Sequence, residues 1–233
     1  MRMTRLSTVA LVLTSTAACA ALEPARMALP DGLSASTEEV VLRGLGRGRE
    51  GEYTLAGNRG RFRRTNDRLD VFDIVSVDWG GSSVTVGGAD VTAAVSAKCG
   101  LRQVTAGWRI VRFAAKPLAY ECEFAGIDAG LSLQEGKISG DSLKNIARRR
   151  GVARVGDIVL ELHSVHGLEG TPLTLAAPIG YVAEHAGLPV GAIELNGSTP
   201  RVWLPTDDAD QRRAVLLAVL PLALLWDPAV LHE

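Results

Sequence analysis

The stretch "DQRRAVLLAVLPLALLWDP", residues 210–228, is the most apolar run of the chain outside its N-terminus, and its reading decides the fold. Apolar residues follow one another without a break from Ala214 to Trp226. A helix of that length spans about 20 Å, short of the ~30 Å hydrocarbon core of a bilayer. Arg212 and Arg213 bracket it on one side and Asp227 on the other, and Pro221 sits inside it. A membrane span is therefore not expected. Every face of the helix is apolar, so a protein interior has to cover every face. Asp207, Asp208 and Asp210 suit its positive N-terminal end.

Outward from this helix the pattern changes to short alternating runs broken by glycine. The chain has 233 residues, of which 25 are Gly; 47% are hydrophobic and 22% charged. These values describe a globular chain with many tight turns. The formal charge of −1 gives no sign of nucleic-acid binding. Gly57-Asn58 and Asn196-Gly197 read as two-residue hairpin turns. Residues 69–79, "LDVFDIVSVDW", alternate as one strand, with a turn expected at Gly80-Gly81. Residues 155–163 read as another strand. Residues 141–150, "DSLKNIARRR", read as one short helix that Gly151 ends.

The count is ten to twelve short strands and two helices. The fold expected is mainly β: a single closed or nearly closed antiparallel β-barrel over residues 38–233. It encloses the hydrophobic C-terminal helix, placed at residues 208–226. Closing a barrel removes exposed sheet edges and provides a cavity for an all-apolar helix.

Residues 1–20 carry Arg2 and Arg5, then an apolar run too short to span, as export signals do. Two cleavage readings compete. Ala18-Cys19-Ala20 fits a secretory site, and Thr16-Ala17-Ala18-Cys19 resembles a bacterial lipobox that would place lipid on Cys19 and tie the chain to a membrane. Both put the mature protein in the periplasm or at the outer membrane rather than in the cytoplasm. Residues 21–37, with two prolines and no periodicity, read as a flexible tether. Cys99 and Cys122 remain, and in an oxidising compartment they are expected to form one disulfide. Closing that loop is worth about 3.4 kcal/mol in the chain-entropy picture.

The tail "PVGAIELNGSTPRVWLPTDDADQRRAVLLAVLPLALLWDP" resembles the end of the tubby C-terminal-like superfamily, which includes LURP-one-related proteins and phospholipid scramblases. The pattern is a last hairpin (residues 190–195 and 201–204), an Asp-rich turn (residues 207–210) and an apolar helix, over roughly the last 45 residues. The resemblance implies a roughly twelve-stranded barrel around that helix. The export signal and the cysteine pair depart from the superfamily pattern.

Arg59, Arg61 and Arg63 alternate along one strand face, joined by Arg64; Arg148, Arg149 and Arg150 form a second group. Guanidinium groups bind phosphate bidentately. In an envelope the available polyanions are anionic phospholipid and lipopolysaccharide, and local acids offer the competing reading of a solvated, charge-balanced face. The leading expectation is a non-enzymatic envelope protein that binds such a polyanion and has no cofactor. One alternative is a metal-dependent hydrolase using His163, His166 and Glu169. Another is a structural subunit of an envelope complex. "GRGREG" at residues 46–51 has the spacing of a dinucleotide loop, but a strand follows where a helix is needed. No serine stands in a GxSxG setting. Trp79, Trp108, Trp203 and Trp226 are dispersed and expected in the core.

Overall fold

The computed structural model describes residues 25–46, 48–71, 75–108, 111–136 and 146–228. The export signal, Cys19 and the first half of the expected 141–150 helix lie outside them. Twelve strands form one sheet. They are β1 (Thr37–Val41), β2 (Glu50–Leu55), β3 (Asn58–Val71) and β4 (Val75–Gly88). Next come β5 (Val95–Trp108), β6 (Val111–Ala125), β7 (Ala129–Glu135) and β8 (Arg149–Val155). The last four are β9 (Ile158–Val165), β10 (Gly180–His185), β11 (Leu188–Glu194) and β12 (Arg201–Pro205). Two helices, α1 (Leu33–Ser36) and α2 (Ala209–Leu224), complete the described chain.

From β2 to β12 each strand pairs antiparallel with the next, and β1 pairs with β12. The two sheet ends, β1 and β2, approach each other at one bridge. There the Arg43 N–H donates to the Thr54 carbonyl at 3.0 Å and the Thr54 N–H donates back at 2.9 Å. The result is a nearly closed barrel.

The hairpin turns obey local chemistry. Ala56 and Gly57 join β2 to β3 with φ of 48° and 78°, and Ala186 and Gly187 join β10 to β11 with 52° and 78°. Two successive positive φ values match the twist of the flanking strands. The first turn therefore sits one residue earlier than Gly57-Asn58. The other expected turns differ more. Gly80 and Gly81 lie within β4, paired with Leu101 and Gly100 of β5. The run at residues 69–79 belongs to two strands, β3 and β4, on either side of residues 72–74. Residues 155–163 likewise divide at Gly156, whose φ is 56°. Asn196-Gly197 lies in a longer connection between β11 and β12.

Cys99 and Cys122 stand directly opposite each other on β5 and β6 and form a disulfide with a Cα–Cα distance of 4.0 Å. Both side chains belong to the main apolar core. That core also contains α2, in which every residue from Ala214 to Leu222, and Leu224 as well, is buried. α2 packs against β4, β8, β9, β11 and β12. Its approach to β11 is close: a Cβ on Gly191 would lie 2.4 Å from a Val215 methyl. No helix among the described residues is long and apolar enough to cross a membrane.

α2 starts with Asp208 as N-cap, whose carboxylate accepts from the Asp210 and Gln211 N–H groups, each at 2.9 Å. Arg212, in the first turn, reaches Glu38 of β1 at 2.6 Å, Asp90 of the β4–β5 loop at 2.9 Å and the Pro205 carbonyl at 2.9 Å. Near the other end, the buried Tyr120 hydroxyl donates to the Pro221 carbonyl at 2.9 Å, satisfying an acceptor that the end of the helix leaves open.

A second apolar cluster lies on the opposite face of β10–β12. Strand alternation sends Tyr181, Ala183, Ile193, Val202 and Leu204 into the main core, and Val182, Ala192 and Trp203 into the second. Met27 and Leu33 cover that second face. Residues 25–36, expected as part of a tether, are therefore docked in place. The Met27 N–H donates to the buried Glu194 carboxylate at 3.0 Å, and Arg26 pairs with Glu39 at 2.7 Å. Trp203 fits the core expectation at 3% exposure, whereas Trp79 is 41% exposed. Trp226 packs partly buried against the main core, and the Trp108 side chain lies outside the described ones.

A fully buried aliphatic side chain is worth about 1.5–3 kcal/mol of transfer free energy, so α2 outweighs any single strand in the core. A chain ending after Pro205 is expected to lose its cooperative thermal unfolding transition and its near-ultraviolet circular dichroism. Retention of both would show that the strands can build a core without α2.

Candidate functional site

The arginine face on β3 divides on inspection of its cross-strand partners. Glu50, Glu52 and Thr54 of β2 stand opposite Arg63, Arg61 and Arg59. Arg61 pairs with Glu52 at 3.0 Å and Arg63 with Glu50 at 3.0 Å, all four side chains strongly exposed. Such surface pairs are worth little in stability, about 0–1 kcal/mol, but each carboxylate cancels the field of its arginine. Arg59 makes no ion pair among the described residues. It lies across Thr54 from Arg43, so the two exposed guanidinium groups flank one threonine.

Arg64 has the opposite parity and faces the barrel rim. Its guanidinium lies 5.6 Å from the centre of the Phe62 ring. Its Nε donates to the Gly48 carbonyl at 3.0 Å, and one terminal nitrogen donates to the Gly46 carbonyl. No carboxylate pairs with it among the described residues. Partial burial pulls its pKa down from the ordinary arginine value. The "GRGREG" loop thus supplies carbonyls to an arginine rather than N–H groups to a phosphate.

Arg64 stands on the wall of a cleft of roughly 820 Å³ beside the C-terminal end of α2. Leu45, Leu175, Ile179, Leu195 and Leu225 give the cleft an apolar lining, and Tyr181 and Asp227 reach its floor. An apolar hollow with a few fixed polar groups is the ordinary form of a small-molecule site.

The second arginine group is not one cluster. Residues 146–148 are irregular, and Arg149 opens β8 by pairing with Glu135 of β7, so no helix ends at Arg150. Alternation then turns Arg149 inward and leaves Arg148 and Arg150 exposed. Arg149 is 2% exposed and grips Asp227 in a two-point pair at 2.9 and 2.8 Å. Burial alone would lower the Arg149 pKa, but the Asp227 hydrogen bond and charge outweigh it and the pKa is raised. Arg149 therefore fastens the chain just beyond α2 and is closed to an outside anion. Burial also raises the pKa of Tyr181, beside this pair.

His163, His166 and Glu169 are not brought together. His166 is buried, with its Nδ1 3.1 Å from the Leu175 carbonyl and its Nε2 2.9 Å from the Ser164 hydroxyl. A carbonyl can only accept, so Nδ1 carries the proton and Nε2 accepts from Ser164. The Ser164 oxygen in turn accepts from the Arg149 N–H at 2.8 Å. Both ring nitrogens are occupied, which leaves neither for a metal. Glu169 is exposed, and its N–H donates to the Arg26 carbonyl at 2.9 Å. His163 lies instead with Glu161 and Glu184. The alternation of Glu161 with His163 was visible in the sequence; the placement of Glu184 opposite Glu161 follows only from strand register.

No family model, no curated protein and no solved structure matches this chain.

Two predictions follow from the buried polar groups. Arg149→Met is expected to cost about 3–5 kcal/mol in denaturant unfolding, because it takes the guanidinium partner from the buried Asp227 carboxylate. Arg149→Met/Asp227→Leu is expected to regain most of that loss. His166 has its pKa lowered from 6.5, first by burial and also by the Arg148 and Arg149 charges. Its folded-state pKa lies below the unfolded one, so its contribution is fully present above pH 6.5 and is lost as pH falls below that value. Stability measured from pH 7 to pH 5 should fall less steeply in His166→Gln than in the wild type.

Proposed function

We propose that this chain is a non-catalytic protein of the bacterial cell envelope that binds an anionic lipid in the cleft beside α2, as a tubby-like barrel built around its own C-terminal helix. In this reading α2 runs inside the barrel. Support comes from its burial from Ala214 to Leu222, its packing against β4, β8, β9, β11 and β12, and the Tyr120 bond to Pro221. A near-closed barrel of twelve strands and an apolar C-terminal helix are the parts from which the architecture implied by the tail's resemblance is built. The short basic and apolar leader and the Cys99–Cys122 disulfide favour an exported, oxidising location.

One observation carries the ligand class. Arg64 is a partly buried cation that pairs with no carboxylate among the described residues, at the edge of a cleft that mixes leucine and isoleucine walls with a few polar groups. A head group with phosphate or carboxylate oxygens supplies the missing acceptor, and an acyl segment suits the leucine and isoleucine walls. Arg43 and Arg59 offer a second, exposed attraction for an anionic surface. Arg61 and Arg63 are already neutralised, and Arg149 is enclosed, so neither group belongs to the binding surface in this proposal.

Flotation of the protein with phosphatidylglycerol vesicles, against phosphatidylcholine vesicles, tests it. Wild type should float with the anionic vesicles only. Arg64→Gln should weaken binding about tenfold, the loss of one charge-assisted contact worth about 1.5 kcal/mol. Arg61→Ser/Arg63→Ser should bind as wild type does. Equal flotation of wild type and Arg64→Gln would overturn the assignment to the cleft.

A further inference from the structure

We infer that Glu161, His163 and Glu184 form a divalent-metal site, best suited to zinc, on the outer face of β9 and β10. The three side chains each offer one ligand atom, all within 4.8 Å of one another. The His163 Nε2 lies 3.8 Å from a Glu161 carboxylate oxygen and 3.7 Å from one of Glu184. Zinc bonds of about 2.0–2.2 Å in tetrahedral geometry put ligand atoms roughly 3.3–3.6 Å apart. The two His163 distances exceed that spacing by only a few tenths of an ångström, and the Glu161–Glu184 gap, at most 4.8 Å, is closed by rotation of exposed carboxylate side chains.

The backbone imposes this grouping. Glu161 and His163 are two apart on β9 and share its outer face, while Leu160 and Leu162 point into the core. Antiparallel register sets Glu184 opposite Glu161 and Val182 opposite His163. An irregularity against β11 falls between Ala183 and Glu184, a feature that re-aims side chains at such positions. Val182 is held beneath Met27 and Leu33 in the second apolar cluster, so the strand beside His163 is fixed on both faces.

The electrostatics call for a cation. Two carboxylates directly opposite on paired strands repel each other. Among the described residues no lysine or arginine reaches either within ion-pair distance; only His163 does. Arg150 of β8 is the cross-strand neighbour of His163 on the other side, and exposed Val152 is that of Glu161. A divalent ion bound between Glu161 and Glu184 cancels the charge of the two facing carboxylates. Three protein ligands leave a fourth position for water or an outside donor. The site thus differs in its residues from the His163, His166 and Glu169 set, and it is independent of the lipid cleft.

The test uses the full chain purified without a polyhistidine tag, stripped with chelator and titrated with zinc by calorimetry, with magnesium as comparator. One zinc per chain is expected, with no comparable magnesium binding. His163→Ala and Glu184→Gln should each weaken zinc binding by at least about tenfold, since even groups that merely orient a ligand cost 10–100-fold. Glu169→Gln should bind zinc as wild type does. Imidazole resonances of the unaltered protein give a readout that needs no substitution: zinc should shift those of His163 and leave those of His166 in place. The inference is overturned by substoichiometric zinc, by unchanged affinity in both variants, or by a shift at another histidine alone. Any of these would leave Glu161, His163 and Glu184 as a surface cluster that holds no ion.

Discussion

α2 has no polar face, and the arrangement of the rest of the chain can be derived from that constraint. Its side chains leave water on all sides, so strands as distant in the sheet as β4 and β11 have to supply contact surface. Its backbone imposes a second requirement, because the polar groups at both ends need partners and those at the C-terminal end are buried away from water. Asp208 caps the first turn, Tyr120 meets the Pro221 carbonyl, and Arg212 joins the helix start to β1, β12 and the β4–β5 loop. Beyond the far end, Asp227 is seized by Arg149 of β8. Apolar burial alone does not fix how far the helix slides or turns, and these directional bonds do. A buried ion pair adds little net stability over a well-packed apolar pair. The Arg149–Asp227 contact is better understood as a latch on the axial position of the helix.

The same economy shapes the outer surface. β10, β11 and β12 each send residues into both apolar clusters, with α2 packed against β11 and β12 on one side and the docked N-terminal segment on the other. This explains why their sequences run apolar where other strands alternate. It also explains the fully buried Glu194, whose carboxylate is met by the Met27 N–H and by Arg201 at 3.0 Å each. The segment covers what would otherwise be an exposed tryptophan, Trp203, with Arg26 placed over its ring at 5.8 Å. The barrel wall therefore has two regimes: a covered sector around β11, and an open sector around β3 where charged side chains meet water.

That division sorts the arginines more finely than their count suggests. Alternation on β3 did identify one outward row, Arg59, Arg61 and Arg63, but β2 sets a glutamate opposite two of the three. Arg148, Arg149 and Arg150 read locally as the last turn of a helix, whose charges suit a C-terminal end, yet Arg149 is where β8 begins. Pairing with β7 and β9 made it a strand, and the parity of that strand sent the middle arginine into the interior. Similarly, Gly80-Gly81 carries a strong local turn signal, yet β3 and β5 hold those glycines in a ladder on both sides. Long-range hydrogen bonds outweighed a preference that is worth only about 1 kcal/mol per residue.

The sequence by itself determined the mainly β character, the all-apolar helix near the C-terminus, its acidic cap and the pairing of two cysteines. Each of these depends on composition or on neighbours within a few residues, which a linear reading can see. Only the tertiary structure decided that Arg64 stands at a cleft, that Arg149 meets Asp227, and that Glu184 faces Glu161 and His163. Those meetings join residues from 21 to more than 78 positions apart, and a slip of one residue in the register of β3, β8, β9 or β10 would send the side chain concerned to the opposite face.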